Sequence, residues 1–293
     1  MDVSSPSEKD RMERAERMVK AAIDAHPAFD GYRSSIKVYA KGSYANRTNV
    51  RADSDVDVVV ENQHVTYFDY FPRSSAPSPD PNANPYTGRW DDPDDWREEV
   101  RLAMVRKFGG GDVDSSGEVA ITIAEVTGSR PSADVVPSFD YRRYDSPDRR
   151  VAHVGSRVFK RSGGTVANYP DQQKANGIAK DQNTGGRYKK YVRALKNAEN
   201  FLAAQGINKE LPSYFMECLV WNVPNSHIAL GGTLDQGFRN TLAYLFNNLL
   251  PAAYDYDDWV EPNDLKYLFY GDKWSREDGF KLVDATWELL GYE

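Results

Sequence analysis

Three aspartates and one glycine-serine pair are the residues of this sequence best suited to chemistry. Gly42 and Ser43 open KGSYANRTNVRADSDVDVVVE, Asp55 and Asp57 follow in the same stretch, and Asp134 lies in SADVVP. In an extended strand, side chains two apart point to one face, so Asp55 and Asp57 project together. They stand at the start of a run, Val56 and Val58 to Val60, apolar enough to be buried. Neighbouring carboxylates at the mouth of a buried strand repel and cost stability unless a cation sits between them. Hard oxygen ligands select Mg²⁺ over zinc, with Mn²⁺ as a substitute. Asp134, on a second strand of similar character, supplies the third carboxylate that two ions need. Two such ions about 3.5 to 4 Å apart can activate an attacking hydroxyl and stabilise the leaving oxygen of a phosphoryl transfer. The Gly42-Ser43 turn is the complement, because glycine lets backbone N–H groups and a hydroxyl approach phosphate oxygens closely.

Each piece has an ordinary reading as well. Gly-Ser pairs are common turns, and D-x-D pairs are common in solvated loops, which is the role expected of Asp112 and Asp114. Asp53 sits in the turn ahead of the valines and is expected to support that turn. The combination is what specifies a site: a strand, Gly-Ser, D-x-D opening a valine run, and a later strand aspartate.

Those residues need elements to hold them. SPSEKDRMERAERMVKAAIDAH reads as a long packing helix, with Ser5 as cap, Pro6 at the first helical position and Glu8 completing a capping box. IKVYA (36–40) and VDVVVEN (56–62) read as strands, as do EVAITIAEV (118–126) and SADVVPSFD (132–140). The stretch SSAPSPDPNANPYTGRWDDPDD (74–95) reads as a mobile surface insertion, followed by a helix in DDWREEVRLAMVRKF that glycine closes. After about Gly155 the pattern turns helical. GGRYKKYVRALKNAENFLAAQG carries Tyr188, Val192, Leu195, Ala198 and Leu202 on one stripe, and further helices are expected around 214–221, 238–250 and 279–290.

The 293 residues, 40% hydrophobic, suffice for about two compact domains. Apolar runs fall far short of the roughly 20 residues a membrane span needs, and the N-terminus lacks a signal pattern, so a cytoplasmic protein without membrane association is expected. With one cysteine, Cys218, and four dispersed histidines, an intrachain disulfide is excluded and a Cys/His zinc site is disfavoured. The net charge of −7 argues against a stable nucleic-acid partner. Charge is segregated, however: residues 142–196 hold 14 Lys/Arg against 4 Asp/Glu, a local +10 that leaves −17 for the rest. This suits carboxylates presented from one region and phosphate-holding cations from another, or else a solvated basic surface.

Gly42-Ser43, DVDVVV (55–60) and ADVVP (133–137) together resemble the DNA polymerase beta-like nucleotidyltransferases. NYP (168–170), NGIAK (176–180) and TGGRYKKYVRALK (184–196) resemble the bacterial CD-NTases, cyclic oligonucleotide synthases related to cyclic GMP-AMP synthase and oligoadenylate synthase. The resemblance runs from the first helix to about residue 204. It implies an α+β, bilobal enzyme: a mixed, twisted β-sheet core lobe with flanking helices over residues 1–155, a mainly helical lobe over 156–293, and nucleotides in the cleft. The implied activity joins nucleoside triphosphates into a cyclic di- or trinucleotide with release of pyrophosphate, as an antiphage signal read by a separate effector. Asp55 and Asp57 would bind both Mg²⁺ ions. Asp134 would bind the catalytic ion and help deprotonate the attacking ribose hydroxyl, and Ser43 would hold the β- and γ-phosphates. Lys180 and Lys189 would neutralise phosphate charge, and Asn168 or Asn176 would lie near a base, although Asn176-Gly177 also reads as a helix-terminating turn. Tyr188 reads as core or as a stacking platform. Two alternatives use the same carboxylates: nucleotidyl transfer to an antibiotic, a protein or an RNA end, and a nucleotide-binding module without catalysis. Retention of Ser43 and all three aspartates speaks against the second.

Overall fold

The apolar stripe near the N-terminus forms α1 (Pro6–Asp24), which buries Ala15, Val19, Ala22 and Ile23. The structure is a computed structural model that describes residues 6–50, 54–72, 88–250, 258–271 and 274–292. The Ser5 cap and Asp53 lie outside the described residues.

The chain continues through β1 (Ile36–Ala40), the short helix α2 (Gly42–Asn46), β2 (Val56–Tyr70) and α3 (Pro93–Phe108). It then runs through β3 (Val113–Asp114), β4 (Ile121–Ile123), β5 (Ala133–Tyr144), β6 (Ala152–Phe159) and β7 (Thr165–Asn168). The described strands build one mixed sheet in the order β1-β2-β5-β4-β3, with β6 joining the far end of β5 and β7 joining β6. β2 and β5 run parallel and the other pairs antiparallel.

Alternation along these strands makes two unlike faces. Val56, Val58 and Val60 of β2, Ala133 and Val135 of β5, and Ile121 and Ile123 of β4 enter one core with α1 and with Trp96, Val100 and Met104 of α3. By the same alternation the opposite face carries Asp57, Val59 and Glu61 on β2 and Asp134, Val136, Ser138 and Asp140 on β5. A strand that is apolar on one face and acidic at its mouth on the other is what the run DVDVVV dictates.

Local sequence explains the supports. Asp92 caps α3 by accepting from the N–H groups of Asp94 (2.8 Å) and Asp95 (3.3 Å), with Pro93 in the first turn. Of the expected insertion, residues 74–87 lie outside the described residues, but its end is anchored rather than mobile. Trp90 is buried, with its ring 5.1 Å from both Phe29 and Tyr32. EVAITIAEV yields only the three residues of β4. β6 and β7 were not expected: neither AHVGSRVF nor TVAN has a long apolar run, and pairing of β6 against β5 and of β7 against β6 is what makes them strands.

The described residues divide into two compact units, one of residues 6–45 and 54–170 and the other of residues 46–50 and 171–292. The second contains α4 (Pro170–Asn183, all but its first residue), α5 (Tyr188–Ala204), α6 (Ser213–Trp221), α7 (Asn225–Ala229), α8 (Leu234–Leu249) and α9 (Arg276–Leu289). Its core gathers Tyr188, Leu195, Phe215, Leu219, Leu242, Leu245 and Leu282. Tyr188 is thus a core residue. Residues 46–50 belong to this unit through polar bonds: Arg193 donates to the Arg47 carbonyl (2.8 Å) and Lys196 to the Thr48 carbonyl (3.0 Å). Among the described residues no helix is long and apolar enough to cross a membrane.

Candidate active site

β1 ends at Ala40, whose N–H donates to Glu16 of α1 (3.1 Å). The Lys41 N–H then donates to the Asp57 carbonyl (2.9 Å), which stitches the turn to the neighbouring strand. Gly42 follows at φ +71°, a conformation L side chains rarely adopt, and a Cβ there would collide with the Asp57 carboxylate. Gly42 thus packs directly against Asp57, and Ser43 follows it at the start of α2. The buried Tyr44 donates its hydroxyl to the Ser54 carbonyl (3.1 Å) and so holds the chain just ahead of Asp55.

Asp57 of β2 and Asp134 of β5 are direct partners in the parallel ladder. Adjacent strands lie about 4.8 Å apart, so the two side chains rise next to each other from one face. Asp55 is exposed, one residue before β2 begins. Thr122 of β4 is the direct partner of Asp134 on its other side and donates its hydroxyl to Asp134 Oδ1 at 2.6 Å.

The electrostatics follow from this crowding. Burial pushes the Asp57 carboxyl above its ordinary value, Lys41 opposes the shift, and Asp134 and Asp55 add to it. Asp134 is likewise raised by burial and by Asp55, against the hydrogen bond from Thr122 and the charge of Lys41. Lys41 is itself held below the usual lysine range by burial, with Asp57 and Asp134 pulling it back up. One ammonium thus balances a pair of carboxylates.

Among the described residues no three His, Cys, Asp or Glu side chains are already gathered as a metal cage. The donor set nonetheless fits a hard divalent cation. Two in-register carboxylates repel, only one lysine compensates them, and Asp55 acts on both through its charge.

The other expected residues fall in separate places. Asn168 ends β7 opposite Ser156, which lies opposite Asp140, so Asn168 shares the sheet face of Asp134. Asp140 is six positions along β5 from Asp134, roughly 20 Å of extended strand. That spacing sets Asn168 apart from the carboxylates. Asn176 lies inside α4 and donates to the Pro262 carbonyl (2.9 Å) and Asp264 (3.1 Å). Gly177, read from sequence as a possible helix terminator, is buried within the same helix. Lys180 donates to the Val223 carbonyl (2.8 Å) and Asn225 (3.1 Å), and burial lowers its amine to about 8, against the pull of Asp264. Lys189 opens α5 with its N–H on Asp181 (3.0 Å). Its ammonium is lowered by burial, raised by Asp181 and lowered again by Arg47. Asn176 and Lys180 thus serve the helical framework, whereas the Lys189 ammonium lies among charges of both signs, Asp181 first.

Lys41 and Thr122 escaped the sequence reading. A lysine beside a turn is unremarkable in sequence, and Thr122 shows only as the polar member of ITI.

Comparison with known proteins adds to this geometry. A model of the cGAS/DncV-like nucleotidyltransferase C-terminal helical domain matches residues 175–291. The chain is 34% identical over 292 residues to the cyclic dipyrimidine nucleotide synthase CdnE of Legionella pneumophila, covering 98% of this chain and 94% of that one. Among solved structures it is similar to the Rhodothermus marinus CdnE c-UMP-AMP synthase with Apcpp and Upnpp: TM-score 0.79, 28% identity, 99% of this chain and 93% of that one. It is also similar to the Elizabethkingia meningoseptica CdnE cyclic dinucleotide synthase with GTP and Apcpp: TM-score 0.76, 26% identity, 96% and 93% covered.

Proposed function

Because the chain belongs to the CD-NTases, the cGAS/DncV-like nucleotidyltransferases, we propose that it is a Mg²⁺-dependent synthase that joins two nucleoside triphosphates into a cyclic dinucleotide. Divalent-metal dependence is general to the family, while magnesium and the number of two ions belong to this proposal. The observation that carries it is the in-register pair Asp57 and Asp134 beside the Gly42-Ser43 turn.

Asp55, Asp57 and Asp134 would hold the ions through carboxylate oxygens. Magnesium, when bound there, supplies charge neutralisation at the phosphates and activation of the attacking hydroxyl. The Ser43 hydroxyl grips the β- and γ-phosphates. Asp134 takes the proton of the attacking ribose hydroxyl as that oxygen bonds to the α-phosphorus and pyrophosphate departs. A second, identical displacement closes the ring. The ring has no free triphosphate to extend, so its use is as a diffusible signal for a separate effector.

Relatives differ in the bases their names give. The Legionella enzyme is named for two pyrimidines and the Rhodothermus enzyme for one, and at least one pyrimidine is proposed here. The test is mass spectrometry of phosphatase-resistant products formed from an equimolar mixture of four NTPs with Mg²⁺. A cyclic dinucleotide containing uracil or cytosine is expected. Linear or acceptor-linked products would overturn cyclisation, and purely purine rings would overturn the base assignment.

A further inference from the structure

We propose that Thr122 is a positioning residue for the reaction: its hydroxyl fixes the Asp134 carboxylate so that Oδ1 is held by the protein and Oδ2 is presented to the metal and the attacking hydroxyl. The inference rests on the reading of Asp134 given above and extends it to a residue outside the aspartate set.

The geometry is specified from several sides. Ile121 and Ile123 are fully buried in the core, so alternation turns Thr122 to the carboxylate face of the sheet. Antiparallel pairing sets Thr122 directly opposite Asp134, and the 2.6 Å contact has the length of a hydroxyl bonded to an ionised carboxylate. Threonine is stiff at χ1, so the strand backbone fixes the position of its oxygen. A hydroxyl has one proton to donate, and here it goes to Oδ1. Among the described residues no hydrogen bond reaches Asp134 Oδ2. The carboxylate is therefore oriented on one side and open on the other, which a metal ligand that also accepts a proton requires. Partners that orient ligating carboxylates in this way typically change metal affinity or activity about 10- to 100-fold when removed.

The experiment compares Thr122→Val, which keeps the shape and removes the donor, with Thr122→Ser, which keeps the donor. Asp134→Asn serves as the reference, and thermal melting controls for folding. Two quantities are read: Mn²⁺ binding by electron paramagnetic resonance in the presence of a non-hydrolysable NTP analogue, and kcat and KM for synthesis. Thr122→Val is expected to weaken Mn²⁺ binding and lower kcat by about 10- to 100-fold with little change in KM for NTP. Thr122→Ser is expected to stay close to wild type. If Thr122→Val does not fold, Thr122→Ala takes its place with the same expectation. Wild-type Mn²⁺ binding and kcat in Thr122→Val, with Asp134→Asn inactive, would overturn the role of Thr122 alone. A loss shared equally by the serine variant would also overturn it, since the hydroxyl would then not be the cause. Full activity in Asp134→Asn would overturn the reading of the carboxylate site, and the role of Thr122 with it.

Discussion

Gly42 and Asp57 are fitted against each other: the Gly42 α-carbon faces the Asp57 carboxylate so closely that a Cβ would occupy the place of its oxygen. The turn and the first strand aspartate are thus one mechanical unit, joined as well by the Lys41 N–H to the Asp57 carbonyl. Gly42→Ala forces a side chain into φ +71°, at a cost of about 1 to 2 kcal/mol, and pushes Asp57 aside. Displacement of a reacting group by about 1 Å can cost on the order of 100-fold. The expected result is a loss of at least that size in kcat, with a melting temperature only a few degrees lower. Near-normal turnover would show that the turn and Asp57 do not act together.

Asp57→Asn tests the charge argument. The carboxyl of Asp57 is raised above its ordinary 3.8, first by burial and then by Asp134 and Asp55, against Lys41. A carboxyl raised by folding lends stability that is complete below pH 3.8 and is lost as pH climbs through the folded value. At neutral pH its ionised form therefore burdens the metal-free protein. The amide removes that burden, and Lys41 keeps Asp134 as a partner. Synthesis should be abolished, while the melting temperature in EDTA stays level or rises. The thermal stabilisation conferred by Mg²⁺ with NTP should disappear. A marked drop in the EDTA melting temperature would mean that Asp57 stabilises the metal-free fold instead.

The sequence made the carboxylates visible because two period-2 signals overlapped: acidic residues at alternate positions and valines filling a buried strand. Register then converted the pattern into a site, since Asp57 and Asp134 meet only if β2 and β5 pair in parallel at that offset. Long-range pairings of this kind leave no local trace. Thr122 was hidden for the same reason, because nothing in ITI says which residue lies across from it. β6 is hidden too. Gly155 looks like a breaker, yet a Cβ there would strike the Asn168 carbonyl, so the glycine permits close strand approach. Asn176-Gly177 was ambiguous because local propensity favours a turn, whereas packing of Gly177 beside the Tyr188 ring keeps it helical.

Glu217 is the polar centre of the helical unit. Its carboxylate accepts from Thr48 (3.0 Å), Gln173 (2.9 Å) and Asn46 (3.5 Å) and lies 3.9 Å from the Lys196 ammonium, with both ionic side chains almost wholly buried. Removing one partner of such a pair leaves a buried charge uncompensated, at about 3 to 5 kcal/mol. Glu217→Gln should therefore lower the unfolding free energy by about that amount. The double variant Glu217→Gln with Lys196→Met should recover part of it. Chemical denaturation of the two single variants and the double variant checks this, and strictly additive losses would show that the pair is not coupled.

Lys180 makes a pH prediction whose direction is fixed by its position. Burial lowers its amine from 10.5 to about 8, with Asp264 pulling the other way. A lysine depressed by folding contributes stability that is present above 10.5 and lost as pH falls through about 8. Between those values the unfolded chain binds one more proton than the native one. Stability should therefore rise with pH by up to about 1.4 kcal/mol per unit from this group alone. The neutral amine still has two N–H groups for its two acceptors, the Val223 carbonyl and Asn225. In urea denaturation at pH 8, 9 and 10, wild type should gain on Lys180→Met at each step, because the variant has no amine to titrate. Parallel pH profiles for the two proteins would place the Lys180 amine at its ordinary value.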